Sequence, residues 1–445
     1  MTDAPARPWS GRRIHLVGVG GAGMSAYARA AHALGAVVTG SDAAASPYSD
    51  ALQADGVAEV TIGHHARNLP AGEGVELFHS SAIPVGNPER EAARERGVPD
   101  RPRADLLGEL SALRRTIAVA GSHGKTTTAA MIVHALRGAG MDPGWLVGGS
   151  VGDGLPNARW SGGDWLVVEA DESDRSLLSL HVEIAVLTNA ELDHHAAYGS
   201  LQELRAVFAQ FLDRAQTAVV CGRPELVVLA GRPPVTYGLS ELELGAGGSE
   251  QTWEGVRVRL VVPGEHNALN AAGALTAARI AGADPHAAAA ALQGFHGAGR
   301  RFQPAGRSAS GALLYDDYAH HPTEVAATLG AARTLQHERL VAVFQPHLFS
   351  RTALLAPDFG RALALADAAA VLDVYPARER AEDHPGVTGL LIAEAAADAM
   401  AGRPVLWLPR IEDAAAALPP LLRAGDVCVV MGAGDVDALT GKLAA

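Results

Sequence analysis

The stretch TIAVAGSHGKTTTAAMIVHAL, residues 116–136, has the residue types and the spacing needed to bind a nucleoside triphosphate. Gly121 and Gly124 allow backbone N–H groups to approach phosphate oxygens closely. Lys125 can reach the β- and γ-phosphates, and Thr126 offers its hydroxyl to Mg²⁺. The order strand, glycine turn, Lys-Thr and helix therefore predicts a phosphate-binding loop.

Lys125 is the only lysine in the chain interior, since 36 residues are lysine or arginine and the other lysine is Lys442, near the C-terminus. A compact, flexible ammonium does what the planar arginine fork cannot, so its persistence at this position favours a function. The usual loop has glycine six residues before the lysine, where this chain has Val119, and its glycine is Gly121. The alternative is a helix N-terminus merely rich in glycine and threonine.

Two acidic clusters follow apolar runs downstream of this loop. The first comprises Glu169, Asp171, Glu172 and Asp174, and the second comprises Asn189, Glu191, Asp193 and His194. Side chains at the carboxyl ends of parallel strands face the site in an open α/β sheet. Either cluster alone would be a solvated loop with helix-capping acids, but together, after a phosphate loop, they predict metal ligands.

A second glycine loop lies near the N-terminus, in IHLVGVGGAGMS, residues 14–25. An apolar strand runs into Gly18-x-Gly20-x-x-Gly23, and a helix should follow, which is typical of a diphosphate-binding site. Asp42 stands where dinucleotide enzymes keep an acid for the ribose. The motif alone leaves open an NAD-dependent oxidoreductase, although a hydride transferase does not need the triphosphate loop.

The elements that position these residues alternate between short apolar runs and long alanine-rich stretches of helical period. This alternation predicts parallel α/β sheets in three blocks. The first block ends near residue 106, the second starts at the strand before Lys125, and the third starts near GAGRRFQPAG. The runs TAVVCG, VTYGL and VRVRLVV, within 216–262, predict a small antiparallel patch, and GAGGSE and ARERAEDHPG predict loops.

The composition narrows the possible partners. A net charge of −13 predicts no binding to nucleic acid. The two cysteines, Cys221 and Cys428, have no ligand spacing and suit a reducing cytoplasm. We find neither a signal-type apolar segment at the N-terminus nor an apolar run of about 20 residues, so no membrane association is expected.

These motifs, in this order, resemble those of the Mur ligase family, and within it the branch that adds alanine. The strings that carry the likeness are GVGGAGMS, SSAIPVGNPE, GSHGKTTT, EADESD, TNAELDHH, GEHNALNAAGAL, GRRF, DDYAHHPTEV, FQPHLFSRT and MGAGD. The resemblance implies three α/β domains. A Rossmann-like domain at 1–106 would hold a UDP-sugar, a P-loop ATPase-type domain at 107–298 would bind ATP, and a Rossmann-like domain at 299–445 would bring in the amino acid.

The resemblance also implies the reaction. The γ-phosphate of ATP would pass to the lactyl carboxylate of UDP-N-acetylmuramate, and the amine of L-alanine would attack the resulting acyl phosphate. The implied cofactors are ATP and two Mg²⁺ ions, and the implied state is a cytoplasmic monomer or weak homodimer. Two alternatives remain, a ligase that attaches a recycled cell-wall tripeptide and a catalytically inactive nucleotide-binding regulator.

By the same resemblance, one Mg²⁺ would lie on Thr126 and Glu169 and a second on His194. The expected nucleotide-binding residues are Gly121, Ser122, His123, Gly124, Lys125, Thr126, Thr127, His266, Asn267, Asn270, Arg300 and Asp317. His266 and the two asparagines would meet adenine, or cap a helix. Arg300 or Arg301 would reach the transferring phosphate, with Arg301 the expected catalytic residue, unless the pair is only a surface loop.

The expected substrate-binding residues are Gly18, Gly20, Gly21, Ala22, Gly23, Met24, Ser25, Asp42, His64, Ser80, Tyr318, His320, His347 and Arg351. His320 would accept a proton from the alanine ammonium, because only the free amine attacks. His347 and Arg351 would fix the alanine carboxylate. The alternative for LYDDYAHHPTEV, with Asp316, Asp317, His320 and His321, is a zinc site.

The chain departs from the family pattern at two places. Several Mur ligases carry a carbamylated lysine near the second metal, but the corresponding residue here is Phe208, as in the alanine-adding branch. A common form of the last substrate segment has arginine and tyrosine after the histidine, where this chain has Leu348 and Phe349. Selectivity for alanine over glycine or serine is therefore an open question.

Overall fold

The structure, a computed structural model, describes residues 7–192, 198–245 and 247–444. The chain forms two units, one from Met1–Gly238 with Asn270–Leu292 and one from Leu239–Leu269 with Gln293–Ala445. In the described ranges, no helix has both the length and the apolar character needed to cross a bilayer. The predicted domain borders at residues 106 and 298 stay predictions.

The first unit begins with a five-stranded sheet in which every pairing is parallel and the strand order is β3-β2-β1-β4-β5. Its strands are β1 (Arg13–Val17), β2 (Val37–Asp42), β3 (Glu59–Ile62), β4 (Val75–His79) and β5 (Asp100–Pro102). Its helices are α1 (Ala22–Ala33), α2 (Pro47–Ala54), α3 (Pro88–Glu95) and α4 (Arg103–Ala112). The strand order reverses beside β1, so the glycine loop after β1 lies at the switch point where such sheets bind ligands.

The second sheet of this unit has the order β12-β11-β10-β6-β9-β7-β8 and is parallel except between β7 and β8. Its strands are β6 (Arg115–Ala120), β7 (Gly144–Leu146), β8 (Ala158–Arg159), β9 (Trp165–Glu169), β10 (Ile184–Leu187), β11 (Thr217–Cys221) and β12 (Val235–Tyr237). Its helices are α5 (Lys125–Gly138), α6 (Leu201–Arg214) and α7 (Pro224–Val227). Because β6 lies between β9 and β10, both acidic clusters begin beside the phosphate loop, as the sequence predicts.

The predicted antiparallel patch is smaller than expected. Thr217–Cys221 and Val235–Tyr237 pair in parallel within the second sheet, because Val219 and Val220 are buried there rather than alternating with exposed residues. The antiparallel sheet belongs to the second unit and consists of β13 (Glu243–Gly245), β14 (Gly248–Trp253) and β15 (Val256–Leu260). The predicted loop GAGGSE therefore contains the ends of two strands. The alanine-rich stretch forms α8 (Glu265–Ile280) and α9 (Pro285–Leu292).

The second unit contains a six-stranded sheet of order β16-β17-β21-β18-β19-β20, parallel except between β16 and β17. Its strands are β16 (Gln303–Arg307), β17 (Leu313–Asp317), β18 (Arg339–Phe344), β19 (Ala368–Val371), β20 (Val405–Trp407) and β21 (Asp426–Met431). Its helices are α10 (Pro322–Ala332), α11 (Phe349–Leu363), α12 (Leu390–Met400), α13 (Ile411–Ala417) and α14 (Asp437–Leu443). Separate apolar cores cover the two faces, so the polar side chains collect at the carboxyl ends of β17, β21 and β18.

Candidate functional site

The phosphate loop connects β6 to α5, and its backbone requires glycine at two positions. Gly121 has φ +133° and Gly124 has φ +78°, a region that residues with a Cβ avoid. A Cβ on Gly121 would lie 2.1 Å from the Oγ1 of Thr188, and a Cβ on Gly124 would lie 2.8 Å from the Oδ1 of Asn270. Asn270, a predicted adenine contact, therefore lies directly against the start of α5.

Residues after β10 hold the loop in place. The backbone N–H of His123 donates to Oδ1 of Asn189 at 2.9 Å, and Nδ2 of Asn189 donates back to the His123 carbonyl at 3.0 Å. The Ser122 hydroxyl donates to the Glu191 carbonyl at 2.6 Å and accepts from the Glu191 N–H at 2.9 Å. Asn189, which the sequence suggested as a metal ligand, thus has both ends of its amide on the loop. Asp193 and His194, the other two members of the second acidic cluster beside Asn189 and Glu191, lie outside the described residues.

Lys125 is the first residue of α5, and its ammonium has three partners. Nζ donates to Oε1 of Glu172 at 2.9 Å, to the Gly121 carbonyl at 2.7 Å and to the Ser122 carbonyl at 3.2 Å. Burial lowers the pKa of Lys125, but the carboxylates of Glu172 and its neighbours outweigh burial and raise the pKa above the ordinary lysine value. The lysine is therefore a fixed positive charge at the mouth of the loop.

Thr126 and Glu169 form the pair that fits a divalent cation. The Thr126 hydroxyl lies 3.1 and 3.0 Å from the two carboxylate oxygens of Glu169, which ends β9. The N–H of Gly148 donates to Oε2 of Glu169 at 2.8 Å, and a Cβ on Gly148 would lie 2.9 Å from the same oxygen. A hydroxyl and a carboxylate, both oxygen donors held at a helix N-terminus, are ligands that Mg²⁺ accepts.

Arg103, which the sequence reasoning missed, links the first acidic cluster to the other glycine loop. Its Nε donates to Asp174 at 2.6 Å and its Nη2 to Asp171 at 2.7 Å. A Cβ on Gly23 would lie 3.2 Å from Nη1 of Arg103. Burial raises the pKa of Asp171, but Arg103 and Lys125 outweigh burial and hold that pKa below the ordinary aspartate value.

The glycine loop after β1 is held by side chains around it. The Gly20 N–H donates to Oδ2 of Asp42 at 2.8 Å, and the Ser46 hydroxyl donates to the Gly20 carbonyl at 2.8 Å. Asp42 therefore contacts the loop itself. The Nδ2 of Asn157, another residue missed from sequence, donates to the Ala22 carbonyl at 2.8 Å and to Oγ of Ser25 at 3.0 Å.

The other predicted residues of this loop and its surroundings lie on the same sheet edge. Gly21 precedes α1, and Met24 and Ser25 are buried in its first turn. A Cβ on Gly18 would lie 2.9 Å from Cβ of Ser80, so Ser80 packs against the loop. His64 follows β3, and its Nδ1 lies 3.0 Å from Oε1 of Glu89, a buried carboxylate to which sequence reasoning gave no role.

In the second unit, the two neighbouring arginines have different surroundings. The Arg300 guanidinium donates to Asp316 at 3.0 Å and to the Gly432 carbonyl at 2.9 Å. Arg301 has a longer contact, 3.7 Å, with Glu324. Both guanidinium carbons lie over the Tyr318 ring, at 5.2 and 5.0 Å from its centroid. Arg300 is committed to the protein, which leaves Arg301 as the better candidate for phosphate.

Asp317 ends β17, and both its oxygens contact the backbone. Oδ2 accepts from the Phe302 N–H at 2.7 Å, and Oδ1 accepts from the Ala319 N–H at 2.7 Å. Burial raises the pKa of Asp317 to about 6. These two hydrogen bonds of Asp317 fix the chain around Arg301, and its predicted contact with nucleotide stays a prediction.

The predicted amino-acid residues lie close together after β17 and β18. His320 Nδ1 lies 2.9 Å from the Tyr318 carbonyl, so that nitrogen carries the proton and Nε2 is the basic atom. The His320 and His347 ring centroids are 5.8 Å apart. Nη1 of Arg351, a residue only 2% exposed, lies 3.2 Å from Nδ1 of His347. A histidine base and a buried guanidinium beside one another suit an amino acid, with its amine and its carboxylate.

The zinc alternative does not describe this segment. Asp316 contacts Arg300 and Asp317 contacts the backbone. His321 is the N-cap of α10, where its Nδ1 accepts from the Thr323 N–H at 3.4 Å. These side chains serve separate structural partners, so their density in the sequence reflects the turn from β17 into α10.

The remaining predicted residues have protein contacts of their own. Burial lowers the pKa of His266 to about 4, so its ring is neutral at pH 7. Nδ2 of Asn267 donates to the Pro263 carbonyl at 2.7 Å, as in the helix-cap alternative. Thr127 is buried in the first turn of α5. Phe208, which the resemblance matches to the modified lysine of several family members, is buried in α6.

The fold and this site define a nucleotide-binding α/β protein, and comparison with known proteins identifies the class further. Three family models match: the Mur ligase family catalytic domain at residues 13–115, the Mur ligase middle domain at 119–278, and the Mur ligase glutamate ligase domain at 300–434. The chain belongs to the Mur ligase family. It is therefore a ligase, and the oxidoreductase interpretation of the first glycine loop is wrong.

Individual relatives are similar over nearly their whole length. A UDP-N-acetylmuramate–L-alanine ligase of Mycolicibacterium smegmatis is 43% identical, with 97% of this chain and 94% of the relative covered. The Kineococcus radiotolerans protein of the same name is 45% identical, with 95% and 94% covered. The crystal structure of a UDP-N-acetylmuramate-alanine ligase from Thermotoga maritima matches with a TM-score of 0.83 and 27% identity, covering 97% of this chain and 98% of the other.

Proposed function

We propose that this protein joins L-alanine to the lactyl carboxylate of UDP-N-acetylmuramate and converts ATP to ADP and phosphate. The reaction would be a cytoplasmic step in the synthesis of peptidoglycan precursors. The observation that carries the proposal is the likeness, at 42–45% identity over 95–100% of the chain, to relatives that bear this activity in their names. The triphosphate loop with Lys125, Thr126 and Glu169 supports it chemically.

The first step makes the carboxylate reactive. A carboxylate is a poor electrophile, because displacement by an amine would require oxide to leave. A lactyl oxygen attacks the γ-phosphorus of ATP, the bond to the β-phosphate oxygen breaks, and ADP departs. Transfer of this kind depends on positioning and on neutralising charge. Lys125, fixed by Glu172, supplies a positive charge at the β- and γ-phosphates.

Mg²⁺ fits the oxygen pair of Thr126 and Glu169, and these two residues would hold one ion. When bound, the ion supplies charge neutralisation at the phosphates. A second ion at His194 belongs to the same proposal and rests on the resemblance alone. The loop amides between Gly121 and Thr126, other than that of His123, which donates to Asn189, would contact the phosphates, because α5 presents its N-terminus there.

The second step forms the amide bond. The amine nitrogen of alanine attacks the acyl phosphate carbon, and phosphate leaves from the tetrahedral intermediate. His320, whose Nε2 is the basic nitrogen, accepts the proton that the ammonium must lose. Arg351 and His347 bind the alanine carboxylate. Arg301 contacts the transferring phosphate, since Arg300 is engaged by Asp316 and by Gly432.

The UDP-sugar occupies the glycine loop after β1. The N–H groups of Ala22 to Met24, in the first turn of α1, and the positive end of that helix are suited to its diphosphate. Asp42, His64 and Ser80 surround this loop at the carboxyl edge of the sheet, next to the place proposed for uridine and sugar. The division into domains at residues 106 and 298 and a monomer or weak homodimer complete the proposal.

The runner-up is a ligase for a recycled cell-wall tripeptide. A murein peptide ligase from Psychrobacter arcticus resembles this chain with a TM-score of 0.73 and 24% identity, a likeness that concerns the fold alone. The segment with His347 and Arg351 fits a single amino acid better than a peptide, because the buried guanidinium lies beside the histidine at 3.2 Å.

One experiment decides between these functions. The protein is incubated with ATP, Mg²⁺ and UDP-N-acetylmuramate, together with each amino acid singly or with the tripeptide, and the products are weighed by mass spectrometry. We expect an adduct with L-alanine, with glycine and serine adducts formed more slowly. An adduct with the tripeptide but not with alanine would establish the runner-up. Absence of any adduct, with no phosphate released, would overturn both and favour an inactive regulator.

A further inference from the structure

A carboxylate with no exposure to solvent lies beneath the proposed UDP-sugar site. Glu89, in the first turn of α3, is 0% exposed, and four side chains direct hydrogen bonds to it. These donors are Nε2 of His15 at 2.7 Å, Oγ of Ser41 at 2.7 and 2.8 Å, Nδ1 of His64 at 3.0 Å and Nδ2 of Asn68 at 3.1 Å. Among the described residues, no lysine or arginine forms an ion pair with Glu89.

The ionised state of Glu89 determines where its neighbours carry protons. Burial raises the pKa of Glu89, but the hydrogen bonds from His15, Ser41 and His64 outweigh burial and lower it to about 2. An ionised carboxylate only accepts hydrogen bonds, so each group that contacts it must present a proton. The Ser41 hydroxyl donates its one proton to Glu89, so its oxygen can only accept from Nδ1 of His64, 3.1 Å away. Because both neighbours of Nδ1 are acceptors, Nδ1 of His64 carries the proton.

This arrangement leaves Nε2 of His64 as a hydrogen-bond acceptor in the neutral ring. The side chain of His64 is 17% exposed, and within the described part of the chain no protein hydrogen bond to its Nε2 is recorded. His64 follows β3 at the carboxyl edge of the first sheet, where ligands bind in folds of this type. The inner edge of the ring is thus fixed by the protein, and the outer edge is available to a ligand.

The same carboxylate also supports the glycine loop. The Ser41 carbonyl accepts from the N–H of Gly18 at 2.8 Å and from the N–H of Val19 at 3.1 Å. The hydroxyl of Ser41 donates to Glu89. Glu89 therefore fixes two groups. Through Ser41 it holds the end of β2, which contacts the glycine loop, and through Nδ1 it holds the ring of His64.

We propose that Glu89 is a positioning residue for the nucleotide sugar, holding His64 so that Nε2 accepts a hydrogen bond from an N–H or hydroxyl of the nucleoside. This proposal rests on the proposed function, because it assumes that the glycine loop binds UDP-N-acetylmuramate. Glu89 itself touches no substrate. Its effect is expected in the binding of the UDP-sugar rather than in the use of ATP or alanine.

The kinetic test compares Glu89→Gln, His64→Gln and the double variant. Glutamine has nearly the same shape but places an amide N–H₂ where one oxygen accepted, so His64 loses its fixed proton. We expect KM for UDP-N-acetylmuramate to rise about tenfold in each single variant, as for loss of one hydrogen bond. The values of kcat and of KM for ATP should change less than twofold. The Ser41 hydroxyl lies within 2.8 Å of both carboxylate oxygens, so the carbonyl oxygen of glutamine can still accept from it. The loss in Glu89→Gln therefore falls on His64, and the double variant should match His64→Gln.

Thr39→Val is the matched control for a purely structural effect. Thr39 Oγ1 lies 2.8 Å from Nδ1 of His15, whereas the hydrogen-bond partners of His64 are Ser41 and Glu89. This variant should lower the melting temperature and leave KM for the UDP-sugar unchanged. If Thr39→Val raised that KM as much as Glu89→Gln does, or if the Glu89 and His64 effects added independently, the positioning role would be refuted.

A spectroscopic measurement on the unmodified protein completes the test. Long-range ¹⁵N–¹H correlation spectra of protein labelled on histidine report which ring nitrogen bears the proton, and His64→Gln assigns the signal. We expect protonated Nδ1 and unprotonated Nε2 at pH 7.5, with Nε2 shifting on addition of UDP-N-acetylmuramate. The opposite tautomer would overturn the proposal even if Glu89→Gln did not fold. A wild-type protein that makes no alanine adduct would instead refute the proposed function and leave the tautomer result standing.

Discussion

Nζ of Lys125 lies 2.9 Å from Oε1 of Glu172, and Glu172 is only 1% exposed. The ion pair joins the first residue of α5 to the acidic loop after β9, so the charge that we propose for the phosphates is held in place by the protein itself. A charge already fixed in place needs no reorganisation during the reaction. Because both side chains are largely buried, removing Lys125 or Glu172 leaves an unpaired charge in the protein interior.

Replacement of Lys125 by methionine should abolish most activity and destabilise the protein. We expect ligation to slow by at least about a hundredfold, as when a single charge-stabilising donor is lost. The free energy of unfolding should fall by about 3 kcal/mol, because Glu172 loses its buried partner. Steady-state kinetics and urea unfolding measure the two effects. Adding Glu172→Gln should recover stability but not activity, and Lys442→Arg, at an exposed position, should change neither.

Asn189→Ala should weaken ATP binding without affecting the UDP-sugar. Both hydrogen bonds between the Asn189 amide and His123 are lost, so the phosphate loop is no longer held in its binding conformation. We expect KM for ATP to rise about tenfold, as for loss of one to two neutral hydrogen bonds. Isothermal titration with a non-hydrolysable ATP analogue provides the direct measurement. Gln216→Ala, at an exposed amide, serves as the control, and an equal loss of UDP-sugar affinity would contradict the assignment.

Arg300 and Arg301 should separate stability from catalysis. Arg300→Ala leaves Asp316 without its guanidinium and should lower the free energy of unfolding by about 2–3 kcal/mol. Arg301→Ala removes a 3.7 Å contact with Glu324 and the contact of the guanidinium with the Tyr318 ring, so stability should fall by about 1 kcal/mol. Its kcat should nevertheless fall by about a hundredfold, if it contacts the transferring phosphate. Thermal unfolding and steady-state kinetics of the two alanine variants measure these effects. A larger loss of kcat in Arg300→Ala than in Arg301→Ala would show that Arg300 is the phosphate ligand instead.

Glu89 should make the protein sensitive to acid in a defined pH window. Its pKa is lowered to about 2 in the folded state, against an ordinary glutamate value near 4.5. A lowered pKa stabilises the folded state fully above pH 4.5, and this contribution is lost as pH falls from 4.5 toward 2. The contribution is about 3 kcal/mol. Urea unfolding of wild type and Glu89→Gln at pH 3 and pH 6 should show a smaller pH effect in the variant, whereas parallel pH dependence would contradict the ionised assignment.

The sequence predicts the phosphate loop well because every determinant is local. A strand, two glycines with left-handed backbone, Lys125 and a helix follow one another within 21 residues. The acidic clusters were predicted at the loop for a similar reason, since parallel strands bring their carboxyl ends to one edge. The sequence does not show which acid pairs with which base. Glu172 pairs with Lys125 and Asp171 pairs with Arg103, and both partners are distant along the chain.

The partners missed from sequence are distant along the chain. Asn157 contacts residues more than 130 positions earlier, and Arg103 meets carboxylates about 70 positions later. For Glu89 a signal did exist: His15 stands inside the apolar run IHLVGV, and a buried polar side chain requires a partner. The antiparallel patch was overestimated, because short runs such as TAVVCG do not reveal whether one face or both are covered.

Arg103 binds Asp171 and Asp174 and lies against Gly23, whereas Glu172, between those two acids, binds Lys125. Two loops for which we propose different anions are thus both held by the same four consecutive residues, 171–174. A substitution that displaces these four residues should weaken the binding of nucleotide and of sugar nucleotide together, unlike Asn189→Ala or Glu89→Gln, each of which acts on one loop. A compound wedged against them would disable both binding events through a single point of contact.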